Sequence, residues 1–104
     1  MRLILASVLL AASAAAHAQS MTADTSAGRN LALRICSDCH VVAEGQARPA
    51  TDGAPTFAAV ARDPAATPLS LRVFLQSSHT NMPNLILNPS EIDDLTSYIL
   101  SLRR

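Results

Sequence analysis

Both cysteines of this 104-residue chain lie in one pentapeptide, CSDCH, at residues 36–40. A disulfide between Cys36 and Cys39 would close too small a loop to stabilise a fold by much. A zinc site needs four ligands. Beyond the pentapeptide, and after the N-terminal 18 residues that are treated below as an export signal, only His79 and carboxylates remain to complete one. A thioredoxin-like redox pair is expected beside a βαβ unit, but no segment alternates with the period of a strand. The pentapeptide therefore needs a different chemical explanation.

The spacing C-x-x-C-H is the attachment pattern of c-type haem. Two thiols add to the two vinyl groups of the porphyrin, and two intervening residues span the distance between those vinyls. The next residue, His40, then lies beneath the ring and can bind the iron from the proximal side. The sequence thus predicts one covalent haem c on Cys36 and Cys39. The chain has only two Phe, one Tyr and no Trp, which are few aromatic side chains for filling a core. Such a haem would supply the apolar bulk that they do not.

The N-terminus has the pattern of an export signal. Arg2 precedes an apolar run over residues 3–16, and Ala16-His17-Ala18 is a small-x-small cleavage site. The run is short for a membrane span, which needs about 20 apolar residues, although an uncleaved anchor is the alternative. We predict a signal peptide at residues 1–18, cleaved after Ala18 or Ala16, and a periplasmic domain at 19–104.

Helical periodicity and capping signals predict four helices and no sheet. The predicted helices cover residues 24–35, 56–62, 68–77 and 89–102. Leu71, Phe74 and Leu75 are predicted to face inward, and Arg103 and Arg104 to lie at the negative end of the last helix dipole.

Charge excludes one class of partner. Eight arginines, which are all of the Lys and Arg residues, balance eight acidic residues. Nucleic-acid binding needs clustered cations, so we expect no nucleic-acid partner.

Taken in order, the motifs resemble a class I c-type cytochrome, one of the small monohaem electron carriers. The resemblance extends over residues 28–102. After Gly28, its pieces are CSDCH at 36–40, GAPTF at 53–57, NMPN at 81–84 and LTSYI at 95–99. It implies an all-α cytochrome c fold in which three to five short helices wrap around one covalent haem. The N- and C-terminal helices would cross, with Gly28 and Ala32 against Leu95 and Tyr98.

The resemblance also implies roles for five residues. Cys36 and Cys39 would hold the haem through thioethers, and His40 and Met82 would be the two axial ligands of the iron. The Pro55 carbonyl would accept the proton on the other ring nitrogen of His40. A thioether is neutral and soft, so Met82 would favour Fe(II) and raise the reduction potential.

Three alternatives stay open at these positions. Met82 could be ordinary core packing. His79 could bind the iron in its place, giving a bis-histidine haem. Pro49 competes with Pro55 as the acceptor.

The implied function is one-electron, outer-sphere transfer between periplasmic or membrane-bound redox proteins. With both axial positions filled, the protein would have no small-molecule substrate and would not be an enzyme. A dedicated cytochrome subunit of a periplasmic dehydrogenase or oxidase is one alternative. A ligand-binding or peroxidase-like haem protein with an open sixth position is another. Without lysine, docking is expected to use a small apolar patch and to depend weakly on salt.

Overall fold

The computed structural model describes residues 22–49, 53–77 and 81–104. Within these ranges the chain forms four helices and no strand: α1 (Thr25–Ile35), α2 (Phe57–Arg62), α3 (Pro68–Leu75) and α4 (Pro89–Ser101). This confirms the predicted all-α fold. In the same ranges, no helix combines the length and the hydropathy needed to cross a membrane. The predicted signal peptide lies outside the described residues.

Helices α3 and α4 begin at the predicted residues, and α1 and α2 begin one residue later than predicted. The side chains that accept a hydrogen bond from the first turn belong to Asp24, Thr56, Thr67 and Asn88. Such caps satisfy backbone N–H groups that have no partner within the helix. Helices α1 and α2 end at the predicted residues, α4 ends one residue early at Ser101, and α3 ends two residues early at Leu75. The helix boundaries place the loops that carry the motifs of the candidate site.

The N-terminal and C-terminal helices cross at very close range. A Cβ atom built on Gly28 would lie 2.0 Å from the backbone oxygen of Asp94 and 2.9 Å from Cβ of Tyr98. Ala32, one turn later, is completely buried. At the start of α1, the amide of Asp24 donates to Oδ1 of Asp94 at 2.6 Å. The predicted crossing of the terminal helices is therefore confirmed.

Helix α4 is the common partner of the other helices. Within the described residues α1, α2 and α3 each pack on α4, and they make no comparable contact with one another. The side chain of Arg103, near the end of the chain, makes two further hydrogen bonds. Its Nε donates to the Ala61 carbonyl at 2.7 Å, and its Nη2 donates to the Ala66 carbonyl at 2.6 Å. Arg103, predicted only to lie at the negative end of the helix dipole, thus also holds the end of α2 and the loop that follows it.

The packing of α3 corrects one prediction. Leu71 is buried and Leu75 packs against the core, but Phe74 is 50% exposed rather than facing inward. Leu71 and Leu75 lie one helical turn apart and together occupy the side of α3 that meets the core. Phe74 lies beyond the edge of that contact. On the α4 side, Nε of Arg72 donates to Oδ1 of Asp93 at 2.6 Å.

Candidate haem-binding site

The pentapeptide forms one tight turn directly after α1. The amide of Cys36 donates to the Ala32 carbonyl at 2.9 Å and so ends the helix. The Cys36 carbonyl in turn accepts hydrogen bonds from the amides of Cys39 (3.2 Å) and His40 (2.9 Å). Cys36 is buried, whereas Cys39 and His40 are half-buried. The turn therefore brings two sulfurs and an imidazole together without help from distant segments.

The imidazole of His40 is oriented by a backbone carbonyl. Its Nδ1 lies 2.6 Å from the carbonyl oxygen of Pro55. A carbonyl can only accept, so Nδ1 carries a proton and donates it, and in the neutral ring the lone pair is then on Nε2. The ring also contacts Phe57, with centroids 5.5 Å apart and planes tilted by 53°. A neutral imidazole fixed in this way is a typical metal ligand. Its partner is Pro55, whereas the competing Pro49 lines a small cavity near Cys39.

The thiol of Cys36 lacks the lowered pKa of a redox-active cysteine. Its burial, and secondarily the nearby Cys39, raise its pKa from 9.0 to about 11. Redox-active cysteines of C-x-x-C pairs have lowered pKa values, because the thiolate is the reactive form. Cys36 therefore stays a neutral thiol at pH 7 in the folded chain, which disfavours the thioredoxin-like alternative.

Met82 lies on a different segment from the other predicted residues. It is half-buried in the irregular stretch 81–88, between α3 and α4, and Pro83 follows it. Among the described residues, no hydrogen bond or ring contact joins it to His40. His79, its rival as a ligand, is outside the described residues. The structure thus brings Cys36, Cys39, His40 and Pro55 together and leaves the role of Met82 to be tested.

The residues that are present fit a haem. A free Nε2 and two neighbouring sulfurs are the donor set that a c-type haem uses. The described residues also leave large apolar side chains of α3 exposed, at Leu69, Val73 and Phe74. A large apolar cofactor would reduce the area left open to water. In the parts of the chain that the structure describes, no cluster of three His, Cys, Asp or Glu side chains could hold a metal ion, which leaves the zinc alternative without a ligand set there.

A comparison with curated proteins identifies the family. Cytochrome c-552 of Bradyrhizobium diazoefficiens is 42% identical to this chain over 95 residues, which cover 91% of this chain and 90% of that protein. The chain belongs to the class I c-type cytochromes. Its cofactor is therefore covalent haem c, and it is an electron-transfer protein. No protein-family model and no solved structure matches the chain.

Two side-chain groups that hold the haem-attachment segment, residues 36–42, were not predicted from sequence: the amide of Gln46 and the hydroxyl of Tyr98. The side-chain amide of Gln46 bonds with the backbone of Ser37, His40 and Val42. The buried hydroxyl of Tyr98 donates to the Val42 carbonyl at 2.6 Å. No local motif marks either contact. The only sequence signal near Gln46 is the preceding Gly45, since glycine is common in loops.

Proposed function

We propose that this cytochrome is a periplasmic one-electron carrier whose haem is attached to Cys36 and Cys39 and whose iron is bound by His40 and Met82. The observation that carries the proposal is the 2.6 Å contact between Nδ1 of His40 and the Pro55 carbonyl. This contact leaves Nε2 free to bind iron and fixes the direction in which it points. It also joins two motifs of the family, the pentapeptide and the segment 53–57.

The protein side chains tune the redox couple that the haem supplies, which is Fe(II)/Fe(III). The Pro55 carbonyl holds the proton on Nδ1 of His40 and makes the ring a stronger donor to the iron. The thioether of Met82 is neutral and soft, and it favours the ferrous state. With His40 and Met82 both bound to it, the iron would have no position open to a substrate, and the haem would supply one-electron transfer.

Export and docking follow from the composition of the chain. A leader at residues 1–18, removed after Ala18 or Ala16, would deliver the domain 19–104 to the periplasm. The domain carries almost balanced charge and no lysine. Its partners would be periplasmic or membrane-bound redox proteins that contact an apolar surface, so salt would change the rate of electron transfer only weakly.

Carbon monoxide tests whether the sixth position of the iron is closed. The reduced holoprotein at neutral pH is expected to keep its absorption spectrum under carbon monoxide, because the thioether of Met82 occupies the site. The Met82→Ala variant serves as the positive control and should bind the gas. If the wild-type protein bound carbon monoxide as readily as that variant, the electron-carrier proposal would fail and a ligand-binding function would replace it.

A further inference from the structure

The side chain of Gln46 makes three hydrogen bonds to the haem-attachment segment. Its Oε1 accepts from the Val42 amide at 2.8 Å. Its Nε2 donates to the His40 carbonyl at 2.8 Å and to the Ser37 carbonyl at 3.2 Å. Only one orientation of the amide satisfies all three partners, because the two carbonyls can only accept and the N–H can only donate. Both amide hydrogens and the oxygen are therefore in use.

A tight turn brings Gln46 back to this segment. The Gln46 amide donates to the Ala43 carbonyl at 3.4 Å, and Gly45, the third residue of the turn, has a φ of 78°. This positive φ is available to glycine without steric cost and is strained for residues that carry a Cβ. Gly45 thus reverses the chain, and the side chain of Gln46 reaches residues 37–42.

The bonds of Gln46 complete the restraint of the backbone that follows His40. Besides the His40 carbonyl and the Val42 amide, which Gln46 holds, the Val41 carbonyl accepts from the Phe57 amide at 3.0 Å. Phe57 lies two residues after Pro55, whose carbonyl accepts from the imidazole. The imidazole and its acceptor therefore belong to two backbone segments. The hydrogen bond between the Phe57 amide and the Val41 carbonyl fixes the relative position of these segments next to the residues that Gln46 holds.

We propose that Gln46 is a positioning residue that holds the His40 imidazole in line with the Pro55 carbonyl and so sets the strength of its bond to iron. The inference rests on the proposed function, since it takes His40 as the iron ligand. Without the two donated bonds, the His40 and Ser37 carbonyls lose their amide partner and the turn can shift. The Nδ1–H···O bond is then longer on average, and the imidazole is a weaker donor.

Two substitutions separate hydrogen bonding from space filling. Gln46→Met keeps the length and approximate volume of the side chain but removes all three bonds. Gln46→Glu keeps an acceptor for the Val42 amide but, when ionised, donates to neither carbonyl. The first readout, by NMR of the reduced holoprotein, is the exchange with solvent of the Nδ1 proton of His40. We expect faster exchange in both variants than in the wild-type protein, because the Nδ1–H···O bond to the Pro55 carbonyl is then longer on average.

The reduction potential is the second readout. A loss of stability alone gives no reason for the potential to rise rather than fall. In Gln46→Met the potential is expected to rise, because a less basic imidazole stabilises the ferric state less. Gln76→Met, at an exposed position after α3, is the matched control and should leave both readouts at their wild-type values. If Gln46→Met does not accumulate, the exchange rate of the Nδ1 proton in Gln46→Glu is the test: faster exchange than in the wild-type protein supports the inference, and an unchanged rate contradicts it.

The outcomes also separate this inference from the proposed function. Large paramagnetic shifts of the His40 ring protons in the oxidised wild-type protein would show that His40 binds the iron. If those shifts are present and the Gln46 variants keep wild-type exchange and potential, the inference about Gln46 is wrong and the proposed function stands. If the shifts are absent in the wild-type protein, the proposed ligation fails and the inference falls with it.

Discussion

Gly28→Ala is expected to lower the free energy of unfolding of the holoprotein by about 2 kcal/mol, or roughly 10 °C in its thermal midpoint. In an ordinary helix this substitution stabilises by about 1 kcal/mol. Here the added methyl group would lie 2.0 Å from the Asp94 carbonyl oxygen, which is backbone and cannot rotate away. Helices α1 and α4 would have to separate, and the core between them would loosen. Urea and thermal unfolding followed by circular dichroism measure the change.

Asn30→Ala is the matched control for this prediction. It creates the same side chain in the same helix, but at an exposed position, so its unfolding free energy should equal or slightly exceed that of the wild-type protein. A Gly28→Ala protein as stable as Asn30→Ala would contradict the close crossing of the terminal helices.

Met82→Ala is expected to abolish the low-spin thioether signature in the absorption spectrum and to lower the reduction potential. The decrease should be on the order of 100 mV, a fraction of the roughly 0.8 V range that axial ligands control. The physical reason is that the neutral, soft sulfur stabilises Fe(II), and its loss leaves water or a nitrogen donor in its place. Spectroelectrochemistry of the purified holoprotein measures both quantities in one titration.

Ile86→Ala provides the control within the same irregular segment, because the Ile86 side chain is fully exposed. Its spectrum and potential should match those of the wild-type protein. If the Met82→Ala protein also kept the wild-type spectrum, Met82 would not be the ligand, and His79 would become the candidate.

Those features of the fold that depend on neighbouring residues could be predicted from sequence. A capping side chain bonds to the amide three residues later, so its effect is local, and Thr67 and Asn88 lie directly before the first residues of α3 and α4. The pentapeptide is equally local, since one turn of backbone brings its sulfurs and imidazole together. The family resemblance added the crossing of α1 and α4, which the fit of Gly28 against Asp94 then showed.

Contacts between distant segments could not be predicted in this way. The bond from Arg103 to the Ala61 carbonyl joins residues 42 positions apart, and no pattern in either segment signals it. The three bonds of Gln46 depend on the left-handed conformation of Gly45, and a glycine in a loop sequence does not reveal that conformation. The half-exposed Phe74 was assigned inward because periodicity shows which residues share a face, but not how wide the partner surface is.

Mass spectrometry of a proteolytic digest tests the central claim most directly. Trypsin cleaves after Arg34 and Arg62 but not at Arg48, which precedes proline, so residues 35–62 form one peptide that contains both cysteines and His40. From protein made in a host that attaches haem, this peptide is expected to be heavier by one haem after denaturation in acid and organic solvent. The same peptide at its calculated mass, with both thiols free or joined to each other, would contradict the account.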